Sequence, residues 1–339
     1  MFASLRIRLL ILVLVTVVLT VAIVLLSARE QRRLLVAQAS GEATALSRLV
    51  AERHQRSVDV ARGLLLGMSR MPALADLDGE ACSAALAPLL AREHVFVNLA
   101  AARTDGVLFC SAAPARGRVD LADRAFFAEA LRTGGLGIGE HVISRVRGMG
   151  AVGFGYPVLG HDGKTVAVAI ASLGVSELQR ELDELEIPAG AEVAVLDRRG
   201  VTICARPGPA GAGRRFDERL VSTLRNAAGP IAIEGHDGVQ RLYDLRGVTA
   251  PDGTVAMYVV AGLPTGAILD PVNRVTSRAL LGALLASALA LVAAGLMAEF
   301  MLVRRLRRLA ATSQRIAAGD LSARTDLPAR RDESPATTP

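Results

Sequence analysis

Apolar residues follow three different rhythms along this chain. Two stretches are almost unbroken: residues 9–26 read LLILVLVTVVLTVAIVLL, with Thr16 and Thr20 the only polar side chains, and residues 279–298 read ALLGALLASALALVAAGLMA, with Ser287 alone. Each approaches the ~20 apolar residues needed to cross a hydrocarbon core of about 30 Å. Transmembrane helices are therefore expected over 9–26 and 279–303. For the first, the alternative is a cleaved signal peptide. Its apolar run exceeds the usual h-region of about 7–15 residues, and a cut after Ala28 would put Leu26 where a small residue belongs. An uncleaved anchor is the expectation.

The second rhythm is helical. Residues 29–70 contain no proline, and Leu35, Leu46, Leu49, Val50, Val60, Leu64 and Leu65 recur at helical spacing between polar residues. The pattern predicts a helix of some 40 residues, about 60 Å long, leaving the membrane. A shorter helix is predicted around Glu80–Arg92.

The third rhythm is that of strands. Val95–Ala101 and Val107–Ser111 flank the turn signal Thr104-Asp105-Gly106. A helix over Arg124–Arg132 precedes strand-like runs at Ile138–Val146, Ala151–Leu159 and Thr165–Leu173, and Val175–Leu185 reads as a connecting helix. The series then recurs in shorter form: strands at Glu192–Asp197 and Val201–Ala205, a helix near Asp217–Asn226, and strands near Ile231–Glu234, Val239–Leu245 and Val255–Gly262. The expected class is α+β, a long N-terminal helix with two antiparallel-sheet modules over 27–186 and 187–278.

Charge fixes the orientation. Residues 1–8 carry Arg6 and Arg8 and no acid, and residues 304–339 carry eight arginines against four acids, which together make up the whole formal +6. The positive-inside rule then places both termini in the cytoplasm and residues 27–278 outside it. Arg29, Arg32 and Arg33 weaken that signal at the first helix; Arg304 to Arg308 make it strong at the second. The basic excess belongs to topology and not to nucleic acid binding, because no basic stripe is interleaved with aromatics, which are only 3% of the chain.

Cys82, Cys110 and Cys204 all fall in the exported segment, where disulfides form. Cys82, on a helical stretch, and Cys110, ending a strand-like one, are expected to pair and leave Cys204 free; three unpaired buried thiols are the alternative. No catalytic residue, metal site or cofactor is predicted. His54, His94, His141, His161 and His236 are scattered, with no H-E-x-x-H or C-x-x-C spacing. Gly135 to Gly139 lacks the lysine of a phosphate loop and reads as a helix-to-strand turn.

A family resemblance enters on specific residues. Asp123-Arg124-Ala125-Phe126-Phe127 is followed by Ala130 and Gly134, then by Gly139, Gly148 and Gly153-Phe154-Gly155-Tyr156-Pro157-Val158, then by Asp162-Gly163 and an apolar strand to Leu173. This resembles the double Cache (tandem PAS-like) sensor domain of bacterial transmembrane receptors over roughly 30–275, in particular the sensors of C4-dicarboxylate-type histidine kinases and some diguanylate cyclases. The resemblance implies a small-molecule pocket in the membrane-distal module, with Arg124, Phe127, Phe154 and Tyr156 as ligand contacts. Arg145 and Arg147 are candidate additional cations, since a guanidinium binds a carboxylate bidentately. The alternative for Arg124 is an ion pair with Asp120 or Asp123. The membrane-proximal module shows no comparable polar cluster and reads as a structural transmitter.

A second resemblance follows the second apolar stretch. Leu306, Leu309, Ser313 and Ile316 form a 3-4-3 seam, and Gly319-Asp320-Leu321 follow, like the first half of a HAMP signal-relay domain. The bland alternative is a basic helix lying on anionic headgroups. Arg331-Asp332-Glu333 fits the entry to the second HAMP helix, but Ser334 to Pro339 cannot begin an amphipathic helix. The expectation is thus a truncated or frame-shifted receptor of the inner membrane, with a partial HAMP over 304–333, a disordered tail over 334–339 and no output domain. Expected partners are a small-molecule ligand, with carboxylates as the candidate class, the membrane, and a second copy in a homodimer; nucleic acid is not expected. Two rival functions are a membrane-tethered decoy subunit that pairs with an intact receptor, and an exported enzyme.

Overall fold

The computed structural model describes residues 2–207, 212–250 and 253–298. In chain order the elements are α1 (Phe2–Met68), α2 (Pro72–Ala75), α3 (Gly79–Arg92), β1 (Phe96–Arg103), β2 (Leu108–Ser111), α4 (Ala125–Thr133), β3 (Gly137–Ile143), β4 (Gly150–Leu159), β5 (Thr165–Gly174) and α5 (Val175–Asp183). The second half continues with β6 (Glu192–Asp197), β7 (Thr202–Arg206), α6 (Glu218–Arg225), β8 (Ile231–Glu234), β9 (Gln240–Thr249), β10 (Val255–Pro264) and α7 (Thr265–Ala298). The predicted membrane and post-membrane helices at the N-terminal end are one element, α1. The short α2 was not expected; it is a single turn opened by Pro72 at its first position, where the missing N–H costs nothing.

Residues 33–269 make one compact unit. It holds two five-stranded antiparallel sheets, ordered β2-β1-β5-β4-β3 and β7-β6-β10-β9-β8. The second order repeats the first, strand for strand, so the two sheets are one topology used twice. Period-2 alternation sorts each strand between two faces. Leu99 and Ala101 of β1, Val152, Phe154 and Val158 of β4, and Ala167 to Leu173 at alternate positions of β5 share one cluster with Ala43, Leu46, Val50, Val58, Ala61 and Leu65 of α1. Val193 and Val195 of β6 and Val259, Ala261 and Leu263 of β10 join the same cluster. The long helix is therefore the common wall of both modules.

The opposite faces are covered separately. Phe126, Phe127 and Ala130 of α4 pack with Ala100, Ala102, Val168 and Ile170. Leu220, Val221 and Leu224 of α6 pack with Ala194, Leu196, Tyr243 and Val260. Both α3 and α6 start on aspartate caps: Asp78 accepts from the amides of Glu80 and Ala81, and Asp217 from those of Arg219 and Leu220. A disulfide joins Cys82 of α3 to Cys110 of β2, with Cα atoms 5.9 Å apart. Cys204 is free and buried, and burial pushes its thiol up to about 12.

The apolar parts of α1 and α7 belong to a second unit. Each helix is long and apolar enough to cross a membrane. Their leucines face outward, Leu14 and Leu26 on α1 and Leu284 and Leu289 on α7 all being more than half exposed. Such a surface is stable in lipid and not in water. Within this unit Arg32 donates to the side-chain oxygen of Asn273.

Candidate functional site

The six residues expected to meet a ligand do not converge. Phe127 is buried under α4, whereas Phe154 is buried in the cluster along α1, on the other face of the same sheet. Tyr156, two residues on, shares the face of Phe154 and is half-buried against it. The three arginines lie together at the edge where α4 begins and the β3–β4 turn closes. Arg145 forms a bidentate pair with Asp123, at 2.6 and 2.7 Å, and also donates to the carbonyl of Asp120. That hydrogen-bonded guanidinium lowers the pKa of the Asp123 carboxyl. Arg124 does not pair with Asp120 or Asp123 by hydrogen bond; its guanidinium donates to the carbonyl of Ile143 at 3.2 Å. Arg147 is exposed, and its backbone amide donates to the Ser144 hydroxyl.

What sits under α4 is a ring. A Cβ added to Gly139, Gly153 or Gly155 would come within 3.0, 2.4 and 3.1 Å of the Phe126 ring. Glycine at these three positions lets the helix lie directly on the backbone of β3 and β4. Three of the glycines that carry the family resemblance, Gly139, Gly153 and Gly155, are thus bedding for an aromatic side chain.

The membrane-proximal module departs from the expectation of a module without a polar cluster. Between α6 with its preceding loop and the sheet lies a cavity of about 320 Å³, lined among others by Glu192, Thr202, Arg214, Phe216, His236 and Tyr243. Glu192 is buried, and its Oε2 accepts from the Tyr243 hydroxyl at 2.6 Å. Its Oε1 is 3.7 Å from Nδ1 of His236. Arg241 lies 3.8 Å from Oε2, but its guanidinium is held bidentately by Asp237, at 2.6 and 2.7 Å. Burial, and then the hydrogen bond to the Glu192 carboxylate, pushes the Tyr243 phenol well above its ordinary range. Strand periodicity could have flagged Glu192, Arg241 and Tyr243, because β6 and β9 pair with β10 and all three residues fall on its α6 side. The cavity itself comes from how α6 stands off the sheet, which no local pattern encodes.

Further polar groups tie the modules to each other and to α1. Arg198 in the β6–β7 turn donates to both oxygens of Glu129 on α4, at 3.1 and 3.0 Å. The amide of His141 donates to Asp197 at 3.1 Å. Ser47 of α1 donates to the buried carboxylate of Asp244. Deeper along α1, Nδ1 of His54 and Oε2 of Glu181 lie 3.9 Å apart, both buried and without a hydrogen-bond partner. Glu181 also lines a cavity of about 440 Å³, together with Arg53 and Arg56. No group of three or more metal-ligating side chains occurs among the described residues.

Comparison with known proteins agrees with this architecture. Residues 301–333 match the HAMP domain family, so Leu306, Leu309, Ile316, Gly319, Asp320 and Leu321 all fall inside a HAMP segment, although they lie outside the described residues. No curated protein sequence matches the chain. Among solved structures, the extracellular domain of rpHK1S-Z16, described as a histidine kinase, aligns with a TM-score of 0.60 at 18% identity, covering 69% of this chain and 98% of that one. The ligand-binding domain of the Pseudomonas fluorescens chemoreceptor CtaA, in complex with L-isoleucine, aligns at 0.55 and 15%, covering 71% and 98%. That of the Pseudomonas aeruginosa PAO1 amino acid chemoreceptor PctB, with L-Arg, aligns at 0.54 and 15%, covering 67% and 96%. At such identities the likeness is one of fold: the tandem Cache-type architecture, here followed in the chain by the HAMP match.

Proposed function

We propose that this chain is a transmembrane receptor of the inner membrane, whose two-module domain lies outside the cytoplasm, binds a small molecule and signals through the HAMP segment. The observation that carries this reading is an order of parts. A sensor-type fold over 33–269 lies between two apolar helices, and the second of them runs toward the HAMP match at 301–333. The HAMP match supports a signalling role over a catalytic one.

The sensor's ligand is a small metabolite, and amino acids are the first class to test, given what CtaA and PctB hold. In the distal module Arg124, Arg145 and Arg147 are retained as the candidate anion-facing edge. Phe127, Phe154 and Tyr156 are assigned to packing. A ligand shifts such a receptor between two states only through its differential affinity for them, and the helices that enter and leave the membrane are the elements available to carry the difference. Pairing of two copies follows from the HAMP seam, which needs a partner helix.

Protease added to spheroplasts that carry the full chain tests the topology. Cleavage within 33–269, with the 301–333 segment protected, is expected. Protection of 33–269 would overturn the receptor reading.

A further inference from the structure

The cavity of the membrane-proximal module has the charge pattern of a recognition site and not of a packing fault. Its floor carries Glu192, whose Oε2 is engaged by Tyr243 and whose Oε1 makes no hydrogen bond among the described residues. Around that floor stand two carboxylates, Glu192 and Asp237, and one guanidinium, Arg241, which is bound bidentately to Asp237. Those three groups leave one negative charge over at the cavity's inner end. Its mouth offers cations instead: Arg214 and Arg215 line the cavity and are exposed, beside Asp217, whose carboxylate accepts from the amides of Arg219 and Leu220. Arg215 has Glu218 at 3.6 Å, whereas the Arg214 guanidinium has no ion pair or hydrogen bond among the described residues.

The floor is built rather than accidental. A Cβ on Gly262 would come within 2.3 Å of the Tyr243 ring, and one on Gly235 within 2.6 Å of its hydroxyl oxygen. In the sheet, Gly262 of β10 is the register partner of both Glu192 on β6 and Tyr243 on β9. Here the bedded aromatic comes from the sheet itself, whereas in the distal module Phe126 comes down from α4. Space under α6 therefore stays open, and at about 320 Å³ it is within the range of small-molecule pockets.

We infer that this cavity is a binding site for a compact zwitterion, with the protonated amine on Glu192 Oε1 and the carboxylate on Arg214. A charge-assisted hydrogen bond at each end suits one molecule carrying both signs, and a buried carboxylate with an open lone pair rewards an ammonium more than a neutral donor. The site also has a short route to the membrane. β10 runs into α7 without a linker, Pro264 ending the strand and Thr265 opening the helix, so the floor at Gly262 lies three positions before α7. The inference goes beyond the receptor reading, since it assigns a site in the other module, and it holds whichever way the chain is oriented.

The full-length chain in lipid nanodiscs, titrated calorimetrically with the common L-α-amino acids, provides the test. Each binder is compared with its decarboxylated amine and its des-amino acid. The expected result is binding of at least one zwitterion, with both stripped analogues about tenfold weaker or more. Glu192→Gln and Arg214→Gln should each weaken binding by a similar factor, while Arg116→Gln, at an exposed position of the distal module, leaves it unchanged. Arg214 is exposed, so its substitution keeps the fold intact and a retained affinity would be decisive. The site is overturned if no amino acid binds, if a stripped analogue binds as tightly, or if both proximal variants bind normally. Binding lost in Arg147→Gln but kept in Arg214→Gln would move the ligand to the distal module and leave the receptor reading standing.

Discussion

The ring of Phe126 occupies the space that a side chain on Gly153 would need: a Cβ there would sit 2.4 Å from the ring. Phe126 is itself buried, wedged between α4 and the sheet. Gly153→Ala should therefore force a shift of helix or ring and destabilise the 33–269 unit by about 1–3 kcal/mol, as overpacking of a tight core does. Chemical denaturation of wild type and variant checks this. Pairing Gly153→Ala with Phe126→Leu should recover part of the loss, and an unaltered midpoint for the single variant would show that α4 does not rest on the sheet as described.

The disulfide offers a second test. It closes a span of 28 residues between α3 and β2, for which a chain-entropy account gives about 3–4 kcal/mol. Reduction, or the Cys82→Ser/Cys110→Ser double variant, should lower stability by that order. Cys204, buried and with its thiol pushed up to about 12, should resist maleimide in the folded chain and react only after denaturation. Labelling of Cys204 under native conditions would mean that the proximal module opens readily.

How much of this was legible from residues alone depends on how locally each feature is encoded. The strands were, because alternation and Asp-Gly turns act over a few residues: Glu192–Asp197 and Ile231–Glu234 are bounded in the structure as periodicity bounds them. The faces were harder. Phe127 and Phe154 both belong to the motif that carries the resemblance, yet one lies under α4 and the other against α1. A motif records which residues occur together and not which side of a sheet they take. The cluster around Glu192 was missed for a related reason, since its members come from β6, β9 and the turn between β8 and β9, and only the sheet brings them together. The same holds for His54 and Glu181, which are far apart in sequence and adjacent in space.

The Arg198–Glu129 pair predicts coupling between modules. Arg198 reaches across from the β6–β7 turn to make two bonds to Glu129 on α4, and both side chains are mostly buried. Bidentate geometry out of bulk water makes this pair stronger than a surface ion pair. A double-mutant cycle with Arg198→Ala and Glu129→Ala should return a coupling of about 1–2 kcal/mol. A value near zero would show that the modules are joined by their apolar contacts alone.

The last prediction concerns acid. His54 is 1% exposed, and burial, with a smaller contribution from the charge of Arg53, lowers its pKa from 6.5 to about 4. An unfolded chain takes up the proton near 6.5, whereas the folded one holds its imidazole neutral down to about 4. Between those values the unfolded state binds more protons, so stability falls as the pH falls, by about 2 kcal/mol from pH 6.5 to 5. Glu181, facing His54 at 3.9 Å, works the other way: burial raises its carboxyl pKa, and acidification relieves that cost. The clean measurement is therefore a difference of differences. The change in unfolding free energy between pH 7 and 5 is measured in wild type and in His54→Gln, in which only the imidazole is missing. Wild type should lose about 2 kcal/mol more than the variant over that interval; equal losses would mean that His54 takes up its proton in the folded protein at the ordinary pH, with water or a ligand reaching it along α1.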